Sequence, residues 1–139
     1  MTERKVVLYA CVHNSGRSVA AKILTEHYAK GRLDVRSAGS EPKSTVNAEV
    51  AAVLAERGLS SAEEVATQLS DELVRDADVV VTMGCGEACP FFAGKRYLDW
   101  TVDDPAGQGR ESVRRIVAEI DVRVRELLGE LGIALSDGD

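Results

Sequence analysis

The chain alternates between short segments with apolar or β-branched residues and longer stretches in which apolar residues recur at helical spacing. Four of the short segments predict β-strands, at residues 5–10, 33–40 (ending in a turn), 77–83 and 95–100. Four stretches with helical spacing predict helices, at residues 18–30, 47–57, 71–75 and 110–131. Residues 60–66 are polar and fit either a short helical turn or a loop.

Local signals place several helix ends. Gly31 and Gly58 follow the first two helices, where glycine readily adopts the left-handed conformation that ends a helix, so Gly31 is the predicted C-cap of the first. Ser70 precedes the third helix and can accept a hydrogen bond from its first turn.

Strands that alternate with helices predict an α/β fold, a doubly wound parallel sheet with right-handed crossovers and helices on both faces. The length of 139 residues fits a single domain, residues 1–139, with a frayed tail at 136–139. Ligands bind such sheets beyond the carboxyl ends of the strands. The loops that follow the first, third and fourth strands should therefore converge on one site.

The composition narrows the class of partner. A net charge of −6 argues against nucleic acid or an acidic membrane surface, so an anion must be bound by local groups. No long apolar run indicates a signal peptide or a membrane span, and we expect a cytoplasmic monomer.

The loop after the first strand carries the main candidate chemistry. It has the spacing Cys-x5-Arg and leads directly into a helix, which together favour an anion site made of successive backbone N–H groups and a helix N-terminus. Arg17 can hold two oxygens of a tetrahedral anion, and Ser18 can stabilise a thiolate at Cys11. The alternative is a buried cysteine in an ordinary loop; the preceding apolar strand and the following helix favour a nucleophile. The predicted substrate-binding residues are Val12, His13, Asn14, Ser15, Gly16, Arg17 and Ser18.

Other polar residues receive narrower predictions. The side chain of His13 is expected to line the rim of the pocket rather than to act as a base. Asn14 is expected to stabilise the loop by a hydrogen bond to the loop backbone. Lys22 should face polar surroundings near the loop, and His27 should be structural. Tyr97 and Trp100 are expected to pack at the last strand.

The sequence Asp103-Asp104-Pro105 follows the fourth strand. Breaking an oxygen–phosphorus or oxygen–arsenic bond requires a proton for the departing oxygen, which a carboxylic acid can supply. Proline holds the residue before it extended, so Asp104 is the predicted acid. The alternative is a plain acidic turn.

The chain has three cysteines, and two of them, Cys85 and Cys89, lie in a glycine-bearing loop after the third strand. They can be buried small side chains, or they can exchange thiols with Cys11 and carry two electrons to the surface. The two histidines lie far from this pair in sequence, so we expect neither a metal nor a cofactor.

With these residues in hand, the chain resembles the low-molecular-weight protein tyrosine phosphatase superfamily, and within it the three-cysteine arsenate reductases coupled to thioredoxin. The resemblance covers nearly the whole chain. The matching motifs are residues 11–18, 37–39, 80–83, 99–100 and 103–107. The resemblance implies a four-stranded parallel sheet of order 2-1-3-4.

It also implies a mechanism. Cys11 attacks arsenate held by the loop and Arg17, and Asp104 protonates the departing oxygen. Cys85 then displaces arsenite to form a Cys11–Cys85 disulfide. Cys89 attacks Cys85, and thioredoxin reduces the resulting Cys85–Cys89 disulfide. Weak phosphatase activity is expected, because the first step is shared.

The chain departs from this pattern in two places. The pair Cys85-x3-Cys89 is closer than the Cys-x6-Cys of better-known members, and some relatives use a low-molecular-weight thiol and a glutaredoxin-like partner instead of thioredoxin. Lys22 stands where some members have an acidic residue that helps hold potassium, and its ammonium can replace that cation.

Two other functions remain open at this stage. A low-molecular-weight tyrosine phosphatase would need Cys11, Arg17 and Asp104 alone, but residues 101–108 supply none of the aromatic side chains that sandwich a tyrosine ring. An oxyanion-sensing or redox-switch module would have no use for the acidic loop.

Overall fold

The computed structural model describes residues 4–84 and 92–133. The four strands form one parallel sheet with the order β2-β1-β3-β4, which confirms the predicted topology. The elements in chain order are β1 (Lys5–Cys11), α1 (Arg17–Ala29), β2 (Leu33–Gly39), α2 (Ala48–Glu56), α3 (Asp71–Asp76), β3 (Val79–Met83), β4 (Arg96–Asp99) and α4 (Arg110–Glu130).

Strand β1 is the centre of the sheet, because it pairs with β2 on one side and β3 on the other. Residues 7–10 of this strand are fully buried, as an uninterrupted apolar run predicts for a strand covered on both faces. At its carboxyl end Cys11 lies opposite Gly39 of β2 and Met83 of β3. The register therefore places Cys11 at the edge where ligands bind in such sheets.

The two faces of the sheet are covered unequally. Val7, Tyr9 and Cys11 face a large core that takes in α1, α2 and α4. Leu8 and Ala10 face a smaller core with α3. Helices lie on both faces as predicted, but three of the four lie on the same side.

Several predicted helix ends are confirmed and one is wrong. Ser70 accepts a hydrogen bond from Leu73 N, and Gly58 has the left-handed φ of 78°. The C-cap of α1 is Lys30, with φ of 47°, and Gly31 follows it with φ of 84°. The predicted cap at Gly31 was one residue late because two successive residues adopt the left-handed conformation. Residues 60–66 form a turn and a loop.

Some predictions lie outside the described residues. These concern Cys85 and Cys89 and the tail at 136–139. Within residues 4–84 and 92–133, no helix has both the length and the apolar character needed to span a membrane.

Candidate active site

Residues 11–18, here called the anion loop, connect β1 to α1. Three of its backbone carbonyls accept hydrogen bonds from residues 41–47. Glu41 N donates to Val12 O at 2.7 Å, Lys43 N to His13 O at 2.9 Å and Asn47 N to Ser15 O at 2.7 Å. Over the described part of the chain, no protein acceptor takes the backbone N–H groups of residues 13–16. These donors are therefore available to an anion, next to the N-terminus of α1.

Gly39 at the end of β2 lets the anion loop lie directly on the sheet. A Cβ at this position would be 2.6 Å from Val12 O and 2.8 Å from Asn14 N. No residue with a side chain fits there unless the loop moves. Sequence reasoning noted Gly39 only as part of a motif and missed this role.

The thiol of Cys11 lies at the base of the loop and is 2% exposed. Its Sγ is 2.9 Å from Ser18 Oγ, and Asn14 Nδ2 is 2.8 Å from the same oxygen. Because Thr67 N donates to Asn14 Oδ1 at 2.9 Å, the Asn14 amide must turn its NH₂ group toward Ser18. Ser18 therefore accepts from Asn14, and its own hydroxyl proton is free to point at sulfur, which suits a thiolate.

Asn14 works differently from the sequence-based expectation. It adopts a left-handed φ of 50° and its side chain is buried. It bonds Thr67 and Ser18 rather than the backbone of its own loop. Thr67 was missed, because it lies 53 residues further along the chain and no local pattern connects the two.

Arg17 is the first residue of α1, and its side chain is 12% exposed. Its NH1 donates to Val102 O at 3.2 Å, and its NH2 is 3.8 Å from Asp104 Oδ2. The guanidinium thus joins the start of α1 to the loop that follows β4. The structure brings together Cys11, Arg17 and Asp104, which the sequence placed in two loops predicted to converge.

The loop of Asp104, residues 101–109, is ordered by its own side chains. Ala106 N donates to Asp104 Oδ1 at 2.9 Å, and Gln108 Nε2 donates to Asp104 O. Asp104 lines the pocket above Cys11 and Asp103 does not. The geometry supports the choice of Asp104 as the candidate acid.

The pocket above Cys11 is narrow. Asn47 and Ala106 line the pocket, although the sequence analysis did not propose them as site residues. Three of the predicted substrate-binding residues do not line it: Val12, Asn14 and Ser18. Within the described residues, the lining includes no phenylalanine, tyrosine or tryptophan; it consists of Cys11, His13, Ser15, Gly16, Arg17, Asn47, Asp104, Pro105 and Ala106.

Residues outside the pocket take structural positions. Lys22 Nζ is 3.0 Å from Glu64 Oε1 and 3.3 Å from Glu26 Oε1. Partial burial opposes protonation of Lys22, but the two carboxylates outweigh it, so the pKa of Lys22 is raised. Trp100 packs against Tyr9 in the large core, with ring centroids 5.6 Å apart.

The side chains of His27 and Tyr97 also have contacts away from the thiol. The ring of His27 meets the edge of Tyr28, and the hydroxyl of Tyr97 accepts from Phe92 N at 2.6 Å. Among residues 4–84 and 92–133, no three histidine, cysteine or acidic side chains gather as metal ligands would.

Comparison with known proteins identifies relatives along almost the full length. Residues 6–136 match the family model described as low molecular weight phosphotyrosine protein phosphatase. The chain is 34% identical over 132 residues to an arsenate reductase of Halalkalibacterium halodurans, covering 88% of this chain and 94% of that protein. It is 28% identical over 130 residues to a glutaredoxin arsenate reductase of Synechocystis, covering 91% of this chain and 98% of the relative.

A solved structure is also similar. A thioredoxin-dependent arsenate reductase of Corynebacterium glutamicum superposes with a TM-score of 0.84 and 41% identity over 94% of this chain. The present chain covers 63% of the length of that structure.

Proposed function

The chain belongs to the low molecular weight phosphotyrosine protein phosphatase family, and from that premise we propose that it is an arsenate reductase that uses Cys11 as its nucleophile. One observation carries the choice of substrate: the thiol lies under a narrow pocket lined by Arg17 and Asp104 and, among residues 4–84 and 92–133, by no phenylalanine, tyrosine or tryptophan. A pocket of this kind suits a small tetrahedral inorganic anion better than an aryl phosphate. The arsenate reductases among the relatives support the same choice.

In the proposed first step, the anion loop holds arsenate through its free N–H groups and the guanidinium of Arg17. The Cys11 thiolate attacks arsenic, and an arsenic–oxygen bond breaks. Asp104 gives its proton to the departing oxygen, which leaves as water. A phosphate ester can enter the same first step, so we expect slow phosphatase activity as a side reaction.

In the proposed second step, the thiolate of Cys85 attacks the sulfur of Cys11. The sulfur–arsenic bond breaks and its electron pair stays on arsenic, which leaves as arsenite. Arsenic gains two electrons, and the two thiols lose them in forming a disulfide. Cys89 then attacks Cys85, which frees Cys11 and leaves a Cys85–Cys89 disulfide.

The reductant of that disulfide is proposed to be thioredoxin, by analogy with the Corynebacterium glutamicum enzyme. The Synechocystis relative is a glutaredoxin arsenate reductase, so a small thiol with a glutaredoxin-like partner is the competing donor. The two donors are distinguished by supplying each one separately in steady-state turnover.

A single-turnover experiment tests the proposal. Fully reduced protein is mixed with arsenate without external thiol, arsenite is quantified, and the disulfide is located by peptide mass spectrometry. We expect one equivalent of arsenite and a Cys85–Cys89 bridge. Arsenite that forms only after a small thiol is added would move the recycling step to that thiol. Absence of arsenite, together with efficient hydrolysis of p-nitrophenyl phosphate, would replace the reductase with a phosphatase.

Matched cysteine variants separate the steps of the relay. Cys89→Ser should still release one equivalent of arsenite and should stop at a Cys11–Cys85 disulfide. Cys85→Ser should release none without an external thiol, while keeping its phosphatase side activity. Release of arsenite by Cys85→Ser without thiol would contradict the proposed order.

A further inference from the structure

Gly84, the residue after β3, lies directly against the guanidinium of Arg17. A Cβ at position 84 would be 2.9 Å from Arg17 NH1, 3.1 Å from NH2 and 3.3 Å from Cζ. The backbone of Gly84 has a φ of 94°, in the left-handed region that favours glycine. Two separate constraints, one on the backbone and one on space, therefore act on the same residue.

The contact limits where the Arg17 side chain can go. The guanidinium has the Val102 carbonyl and the Asp104 carboxylate as its polar neighbours and Gly84 packed against it. An arginine side chain has many rotamers, and ordering one costs conformational entropy when no neighbour restricts it. A guanidinium already restricted by its neighbours loses less entropy when it binds an anion.

We propose that Gly84 is a positioning residue for oxyanion binding. Because Gly84 has no side chain, the guanidinium of Arg17 has room to lie at the pocket above Cys11. The inference rests on the proposed function, in which Arg17 binds the oxyanion. It adds a role for a residue that does not touch the anion itself. It also places the residue that precedes Cys85 in the chain against the group that holds the substrate.

Gly84→Ala is the direct test, and the chain offers a matched control. Gly94 has a similar left-handed φ of 88° but no atom within 4 Å of its potential Cβ. Gly94→Ala therefore carries comparable backbone strain without a clash. Inorganic phosphate is the probe, and its Kd is measured by isothermal titration calorimetry on reduced protein.

We expect Gly84→Ala to weaken phosphate binding by about tenfold or more, the scale for loss of a charged hydrogen bond, and Gly94→Ala to change it by less than about twofold. A Gly84→Ala protein that binds phosphate as the wild type does would overturn the proposal. An equal loss in both variants would also overturn it, since strain alone would then explain the result.

A second measurement reads the position of Arg17 without any ligand. Iodoacetate is an anion and iodoacetamide is neutral, so the ratio of their reaction rates at Cys11 reports on the positive charge beside the thiol. Peptide mass spectrometry follows Cys11 separately from the other cysteines. Gly84→Ala should lower this ratio several-fold, and a merely structural effect would leave it unchanged.

An Arg17→Lys background completes the test. Lysine has no planar group to meet a Cβ at position 84, so Gly84→Ala should add less than about twofold to the phosphate Kd of Arg17→Lys. If Gly84→Ala alone does not fold, folding of the Arg17→Lys/Gly84→Ala double variant supports a steric clash between position 84 and the guanidinium. If neither variant folds, the proposal is overturned. Phosphate binding does not require arsenate reduction, so a failed reductase assay leaves this comparison decisive.

Discussion

The ring of Pro105 occupies the space that a side chain on Gly16 would take. A Cβ on Gly16 would be 2.8 Å from Pro105 Cγ, far inside van der Waals contact. Gly16 is in the anion loop, and Pro105 follows the candidate acid Asp104. This contact therefore limits how closely the loop of Asp104 approaches the anion loop.

Gly16→Ala should push Pro105 and Asp104 away from the pocket. Because a displacement of about 1 Å can cost on the order of 100-fold in rate, we expect arsenate reduction to slow by about 10- to 100-fold. Gly109→Ala is the control, since a Cβ on Gly109 would meet no atom within 4 Å beyond its chain neighbours and its φ is −78°. Single-turnover arsenite release measures both, and equal rates for the two variants would contradict the role of the contact.

Asp104→Asn should remove the proton donor while keeping the size of the side chain. General acid catalysis contributes about 10²- to 10⁴-fold, so the first step should slow by that amount. Asp103→Asn changes the neighbouring carboxylate, which does not line the pocket, and should stay within about threefold of the wild type. The burst of p-nitrophenol from p-nitrophenyl phosphate reports the first step directly. A larger loss of first-step rate for Asp103→Asn than for Asp104→Asn would identify Asp103 as the acid instead.

Ser18→Ala should destabilise the thiolate form of Cys11, because it removes the hydroxyl proton that points at Cys11 Sγ. A hydrogen bond to a charged group contributes about 1.5–3 kcal/mol, so alkylation of Cys11 by iodoacetamide at neutral pH should slow by about tenfold. Ser112→Ala, at a half-buried position on α4 where the hydroxyl accepts from Arg115, is the control. An alkylation rate unchanged by Ser18→Ala would mean that the thiolate does not depend on this contact.

Tyr9 makes the fold sensitive to alkaline pH. Complete burial raises the pKa of Tyr9 well above its ordinary value of 10.0, and the hydrogen bond to Thr25 offsets this only in part. Thr25 Oγ1 donates to Ala21 O at 2.7 Å, so the Tyr9 hydroxyl is the donor in the 2.6 Å contact with Thr25.

A pKa that is raised in the folded state stabilises the protein fully below the unfolded pKa, and this stabilisation is lost as the pH rises above about 10. Tyr9→Phe should cost about 1 kcal/mol at neutral pH through the lost hydrogen bond. It should lose less stability than the wild type between pH 8 and pH 11. Tyr28, whose pKa is also raised by burial, leaves a residual decline in both proteins. Urea unfolding across this range measures the difference, and parallel curves would contradict it.

The sequence was sufficient for the strands, the helices and a parallel sheet, because these follow from local patterns and their alternation, whereas the strand order 2-1-3-4 was implied by the family resemblance. An apolar run such as residues 79–81 has few alternatives to a buried strand, and the Cys-x5-Arg spacing lies within one loop between a strand and a helix. The convergence of Cys11 and Asp104 also followed from topology, since parallel strands bring their carboxyl ends to one edge. The helix end at Lys30 was missed by one residue because Lys30 and Gly31 both adopt the left-handed conformation, which is uncommon for a lysine.

The contacts within the site depended on tertiary structure. Asn14 meets Thr67 across 53 residues, and Arg17 meets Gly84 and Val102 across still longer separations. Such pairs depend on the register of β1 against β2 and β3 and on how each loop packs against the loops beside it. Periodicity along the chain carries no information about that register at the scale of single atoms.

The amino-acid sequence by itself thus determined which groups this protein brings to the edge of its sheet: a thiol, an arginine and a carboxylic acid. Only the tertiary structure decided how they are held, with Ser18 directed at sulfur by Asn14, Arg17 packed on Gly84 and Pro105 seated on Gly16. The reason is physical. Side-chain type follows from the chain, whereas distances of about 3 Å between remote residues follow from close packing of the whole domain.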